Sequence, residues 1–186
     1  MLPTLLLSAA ALFFQISGAS VTVLPPGGDS VCAGQIVESE NYIGQDNKVK
    51  VQHVTCPGTT IESRVLGRQA IVDTCGNTCN TNCFTPSGGG PNPPDCTVIA
   101  DALLFDSQNV AADFVLGTGV NNTIVMQYQS CLSFFVNQLT TDLEYCRVDW
   151  ASLISFIAPN CQSTQNAHGG NCVASDQAWF AQVQHS

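Results

Sequence analysis

Ten cysteines are the residues most able to do chemistry in this chain. Cys75, Cys79 and Cys83 recur every four residues, a spacing that would suggest zinc in a reducing cell. Zinc sites more often combine closer cysteine pairs with histidine, and thiolates awaiting a metal compete poorly with oxidation in an exporting compartment. Thiol–disulfide exchange is weaker still, because there is no Cys-x-x-Cys; Cys75-Gly76-Asn77-Thr78-Cys79 is the nearest approach. The simplest chemistry is five disulfides among Cys32, Cys56, Cys75, Cys79, Cys83, Cys96, Cys131, Cys146, Cys161 and Cys172. Each bridge contributes ~2–4 kcal/mol, comparable to half the stability of an ordinary domain. The pairing does not follow from the sequence, and neither a metal nor a cofactor is expected.

Catalytic constellations are absent. A serine nucleophile would need a strained Gly-x-Ser-x-Gly turn, which does not occur, and His53, His168 and His185 lie near no recognisable nucleophile. A glycosidase needs two facing acids, for which Asp142 with Glu144 or Asp101 with Asp106 are candidates. Fourteen acidic residues supply such pairs by chance, so solvated surface is the better explanation and no enzyme is expected. Binding has more support. His168 lies in the polar run Asn166-Ala167-His168-Gly169-Gly170-Asn171, with Asp176, Gln177 and Trp179 close behind. An aromatic ring flanked by amides and carboxylates suits a sugar, and Tyr128 or Tyr145 would extend the platform. The competing reading places Trp179 in the core and makes the polar run a plain turn.

Sugars can also be attached. Asn121-Asn122-Thr123 is an N-glycosylation acceptor at a turn, so Asn121 is the expected site. Asn77-Thr78-Cys79 is a rarer form, discounted because Cys79 is expected to be bridged. Thr85 and Ser87 lie among prolines and glycines, where O-linked sugars are common.

These residues must be positioned by a modest number of elements. Asp95, after Pro94, reads as the cap of a helix that repeats Val98, Ile99, Ala102, Leu103 and Phe105 at helical spacing. Phe114-Val115-Leu116 and Thr123 to Tyr128 read as a hairpin across Gly117 to Asn122, and Cys131 to Val136 extends or flanks it. Asp149 caps a second helix carrying Trp150, Leu153, Ile154 and Ile157, stopped by Pro159. A last strand runs from about Ala178 to Gln184. Earlier in the chain, Gln35 to Ile43 and Val49 to Val54 read as strands, and Thr60 to about Thr74 as a helix. The expected architecture is α+β: a disulfide-rich sandwich with helices packed on an antiparallel sheet in β-α-β-β-α-β order.

Met1 to about Ala19 reads as a signal peptide, an apolar run of Leu5 to Phe14 followed by the small residues Ser17, Gly18 and Ala19. Residues 20–186 are then one exported, disulfide-stabilised domain. No apolar stretch reaches the ~20 residues needed to span a bilayer, and the polar run Gln182 to Ser186 carries no lipid-anchor signal, so membrane insertion is not expected. The net charge is −9, with only five basic residues, Lys48, Lys50, Arg64, Arg68 and Arg147, which argues against nucleic acid as a partner. The clearest composition break is the Pro/Gly-rich stretch at 85–94. Five cysteines precede it and five follow. Full pairing within one chain therefore requires a bridge across it; otherwise an odd cysteine is left to join a second chain in a dimer.

Taken together, Pro94-Asp95-Cys96, Ile99 to Leu103, Phe134-Phe135-Val136-Asn137, Tyr145-Cys146-Arg147, Asp149-Trp150-Ala151 and Gly170 to Ala174 carry a likeness. From about Cys75 onward the chain resembles small secreted cysteine-rich proteins of basidiomycete fungi. Their nearest characterised type is the mushroom immunomodulatory glycoprotein, which implies a secreted, non-enzymatic recognition protein that activates animal immune cells such as macrophages. The implied partner is a cell-surface receptor or a glycan. A carbohydrate-binding lectin or a fungal effector is the alternative reading, and a secreted hydrolase comes last.

Overall fold

The computed structural model describes residues 30–56, 70–86 and 88–186. The signal-peptide reading at 1–19, most of the helix expected from Thr60, and Arg64, Arg68 and Ser87 lie outside the described residues. In chain order the elements are β1 (Ile36–Ile43), β2 (Val49–Thr55), β3 (Val72–Asp73), β4 (Cys79–Cys83), α1 (Pro93–Asn109) and β5 (Asp113–Leu116). There follow β6 (Thr123–Tyr128), β7 (Cys131–Asn137), β8 (Leu143–Cys146), α2 (Arg147–Asn160), β9 (Gly169–Ala174) and β10 (Trp179–His185).

Seven strands form one antiparallel sheet in the order β1-β2-β6-β7-β10-β9-β4, and three form a second in the order β3-β8-β5. The expected α+β sandwich is therefore wrong: among the described residues ten strands stand against two helices, and the fold they form is mostly β. The strands that sequence reading overlooked have weak patterns of their own. β4 is Cys-Asn-Thr-Asn-Cys, β9 opens on two glycines, and β3 is two residues long. They are strands because neighbouring backbone offers them hydrogen bonds, a tertiary effect that outweighs local propensity.

The expected hairpin is also rearranged. β5 pairs with β8 in the small sheet, whereas β6 pairs with β2 and β7 in the large one. Between them a 3-10 turn at Gly119–Asn121 carries the chain from one sheet to the other. Buried Asn137 holds this crossing, its side-chain amide donating to the carbonyls of Leu116, Gly117 and Thr141 at 2.9–3.2 Å. Ile71 is irregular and Val72–Asp73 pairs in parallel with β8, so the end of the segment expected to be helical from Thr60 is not helix.

Neither helix uses its expected cap. α1 starts from Asn92 with prolines in its first positions, where a missing N–H costs nothing. Asp95 instead accepts the Ser130 hydroxyl at 2.6 Å and its N–H at 3.2 Å, tying α1 to the β6–β7 turn. Asp149 lies inside the first turn of α2 and accepts the Gly76 N–H at 2.7 Å, and Pro159 falls in the helix's last turn rather than beyond it.

One large core draws on a single face of the big sheet, the small sheet and both helices. Its centre is aromatic: Phe135 stacks on Trp179 at 5.2 Å and meets Tyr145 at 4.6 Å and Trp150 at 5.7 Å. The Trp150 indole donates to the Ser133 hydroxyl, which in turn donates to the Gln182 carbonyl. A smaller cluster of Val31, Val54, Val125, Leu132 and Phe134 occupies the opposite face of the sheet, beside Cys32 and Cys56.

All ten cysteines are paired: Cys32–Cys56, Cys75–Cys146, Cys79–Cys172, Cys83–Cys161 and Cys96–Cys131. Three bridges cross the Pro/Gly stretch, and no cysteine remains to join a second chain. The covalent seam lies elsewhere. Cys32–Cys56 encloses β1 and β2, the other four bridges all fall between Cys75 and Cys172, and nothing but the main chain joins the two sets. A protease site engineered into 57–69 should, once cut, yield two fragments on a non-reducing denaturing gel. The same site placed within 85–94 should leave one species until reductant is added, and the reverse pattern would refute this pairing.

Candidate functional site

The residues expected to form a sugar platform around Trp179 do not come together. Trp179 is fully buried (0% exposed), because the alternation of β10 turns it to the core with Ala181 and Val183. Tyr145 is buried beside it, with ring centroids 4.8 Å apart, and burial raises its hydroxyl pKa well above the ordinary value. Asp176 is exposed and accepts the Ala178 N–H at 3.0 Å, closing the turn into β10. His168 is half-buried, its Nδ1 2.7 Å from the Pro86 carbonyl oxygen and its ring 5.8 Å from that of Phe84. It fastens the Pro/Gly stretch to the body of the protein.

Its neighbours Gly169 and Gly170 belong to a strand, not to a flexible loop. A side chain at Gly170 would begin 2.7 Å from the Cys161 sulfur and 2.8 Å from the Asn82 carbonyl oxygen. Gly170 is there because β4 and a disulfide press on the backbone, and Gly169 because β10 does, where a Cβ would meet the Val183 carbonyl oxygen and Gln184.

The acid pairs named from sequence are also separated in role. Asp106 is only 7% exposed, whereas Asp101 is exposed. Asp142 is exposed and Glu144 partly so, flanking the start of β8. Cys75, Asp113 and Cys146 cluster within 4.8 Å, the spacing of a metal site, but the two sulfurs are bonded to each other and offer no thiolate.

A cleft lies elsewhere on the molecule. It has a volume of about 310 Å³ and opens between the β1–β2 turn and α1. Ile43, Val49, Val98 and Ala102 give it an apolar lining, and Phe105 and Tyr128 bring two aromatic rings. Gln45, Asp46, Lys48 and Asp101 bring the polar groups. Lys48 donates to Asp46 at 2.7 Å, with both side chains exposed, and that hydrogen bond, reinforced by the charge of Asp46, raises the pKa of the ammonium.

Local sequence explains the geometry. Gly44 and Asn47 adopt left-handed φ of +85° and +49°, a conformation these residue types tolerate best, and the Asn47 N–H closes the turn on the Gly44 carbonyl at 3.1 Å. The turn rests directly on α1. A Cβ at Gly44 would lie 2.8 Å from that of Ala102, and the Gly44 N–H donates to buried Asp106 at 3.3 Å. On the other side, the Cys96–Cys131 bridge and the Asp95–Ser130 bonds fix α1 to the turn that follows Tyr128. The cleft is therefore largely formed before anything enters it.

From the sequence Asp101 is half of a chance acid pair and Tyr128 an accessory ring, and Asp46 falls between two expected strands with no role of its own. Nothing local joins them, since residues 43–49, 98–105 and 128 meet only through the fold. The usable signal was a polar Gly-Gln-Asp-Asn turn next to an apolar strand. Asp46 and Asp101 together meet one requirement of a glycosidase, two acids in one cleft. Both carboxylates are exposed, and Asp46 is paired with Lys48.

No protein-family model matches the chain, and no curated protein matches it. Among the described residues, no helix is long and apolar enough to cross a membrane. Five disulfides fit an oxidising, extracellular setting.

Replacing Gly44 by alanine imposes strain at positive φ and an overlap with α1. Urea unfolding should show a loss of about 1–3 kcal/mol, and unchanged stability would mean that the turn does not rest on the helix. His53, on the strand behind the cleft, has its pKa lowered by burial, so folding favours the neutral ring. The unfolded chain then binds more protons, and stability is complete above the unfolded pKa near 6.5 and declines as pH falls through it towards the folded value. Unfolding free energy should drop between pH 7.5 and 5.5 by a smaller amount in His53→Gln than in the wild type.

Proposed function

We propose that this chain is a secreted recognition glycoprotein without catalytic activity, and that it activates immune cells such as macrophages through a cell-surface receptor. The observation that carries the recognition reading is the pre-formed cleft between the β1–β2 turn and α1, which offers rings, carboxylates and an amide. The histidine contacts agree with it. His168 and His185 bring Nδ1 to the backbone carbonyls of Pro86 and Ser186 rather than to a nucleophile. The five disulfides support an extracellular life, and the likeness of residues 75–186 to secreted cysteine-rich proteins of basidiomycete fungi supports the immune role.

Asn121 is the proposed glycan site. It is exposed at the end of the 3-10 turn between the sheets, while Thr123 of its acceptor sequence is buried in the folded chain. Sugar transfer there would precede the closing of β6 into the sheet. Asn77-Thr78-Cys79 is the rarer acceptor form, and its Cys79 is bonded to Cys172 in the folded chain.

Endotoxin-free protein secreted from a eukaryotic host tests both claims. Macrophages should release cytokine in a saturable response, reduced at least fivefold by Phe105→Ala in the cleft, and peptide mapping should find the sugar on Asn121. Silence at saturating dose removes the immune role, and an unmodified Asn121 removes the glycan.

A further inference from the structure

We infer that the cleft between the β1–β2 turn and α1 binds a neutral carbohydrate, one or two pyranose rings at the end of a glycan chain. The inference rests on the recognition reading above and names the ligand of that same site. Its size is the first constraint. About 310 Å³ is at the small end of ligand pockets, too little for a folded peptide surface and enough for a sugar unit.

Charge is the second constraint. Asp46 and Asp101 disfavour a phosphate, sulfate or sialic acid, and the chain's net charge of −9 adds to that repulsion at long range. Lys48 in the same lining disfavours a free amine. A neutral ligand meets neither penalty.

The mixture of surfaces is the third. A purely apolar ligand would displace water from the Asp101 carboxylate and the Gln45 amide and crowd the exposed Asp46–Lys48 pair while offering none of them a hydrogen bond. A pyranose has what this lining asks for: a ring of hydroxyls that both donate and accept, and an apolar face of C–H groups. Asp46 and Asp101 accept from hydroxyls, Lys48 donates, Gln45 does both, and Phe105 or Tyr128 takes the apolar face of the ring. Pre-organisation is the fourth. The turn is held by Gly44 on Ala102 and Asp106, and α1 is held by the Cys96–Cys131 bridge, so little ordering remains to oppose a weak ligand.

The test uses the full secreted chain, a printed array of neutral and anionic glycans, and titration calorimetry with glucose, galactose, mannose and N-acetylglucosamine. Saturable binding to a neutral glycan is expected, weakened at least tenfold by Asp101→Asn and by Phe105→Ala and left within twofold by Glu144→Gln, which lies outside the cleft. Circular dichroism and unfolding curves of each variant separate a lost site from a lost fold. An array with no hits, hits confined to anionic glycans, or binding that both cleft variants retain would overturn the assignment. The two readings fail separately. Macrophage activation that depends on Phe105 but comes with an empty array leaves recognition standing and removes the sugar. Cleavage of a bound glycan keeps the sugar and removes the non-catalytic reading.

Discussion

Three disulfides radiate from one short segment, and most of the fold depends on them. Cys75, Cys79 and Cys83 reach to the end of β8, to the middle of β9 and to the residue after α2. The segment between the last two of these cysteines is Asn-Thr-Asn, with no apolar side chain to bury. By hydrophobicity alone it would not hold the edge of a seven-stranded sheet. Bonded at both ends, it does, and it covers the edge of β9 that would otherwise be open. The close approach has consequences one layer further in, where Gly170 must lack a side chain because Cys161 and β4 leave no room. A low-charge chain with weak strand patterns is thus made specific by covalent ties, whose chief effect is to limit the unfolded ensemble.

The bridge Cys96–Cys131 acts on the proposed site more directly. Together with Asp95 and Ser130 it holds the start of α1 against the β6–β7 turn, while Asp106, further along the same helix, holds the β1–β2 turn. The cleft lies between these two attachments. Its polar groups come from a turn and a helix whose relative placement is set by a disulfide, a buried carboxylate and a glycine, so the site belongs to the rigid part of the molecule. The covalent seam nevertheless runs nearby, since β1 and β2 share no bridge with the rest of the chain. They are kept in place by β2 pairing with β6 and by the burial of Val49, Val51 and Val54.

The two tryptophans show how burial decides the role of a residue type. Trp150 satisfies its N–H through Ser133, whereas the buried indole nitrogen of Trp179 has no hydrogen-bond partner among the described residues and its ring is packed among Phe135 and Tyr145. A lone buried N–H carries a cost that the surrounding aromatic contacts must exceed. A ring so placed is structural, and the aromatic rings that line the cleft are Phe105 and Tyr128.

Much was legible in the amino-acid order. The two helices, the strands β1, β2, β7 and β10, and the need for a disulfide across the Pro/Gly stretch all follow from periodicity, turn residues and the odd number of cysteines on each side. These are local or arithmetical properties, which a sequence carries in full. The sequence was misleading about fold class, the hairpin and the caps, and Trp179, one of the residues it offered for binding, is buried. β3, β4 and β8 exist because partners far along the chain offer them hydrogen bonds, β9 lies between distant β4 and its hairpin neighbour β10, and the partner of β5 is β8 rather than its neighbour β6. The cleft follows the same rule. Asp46, Asp101 and Tyr128 are ordinary surface residue types on three separate elements, and only the packing of α1 against the turn of the first hairpin brings them to one place. Sequence determined which residues could be bonded or buried; tertiary structure decided which met, because pairing between distant segments is a property of the whole chain's packing and of no window within it.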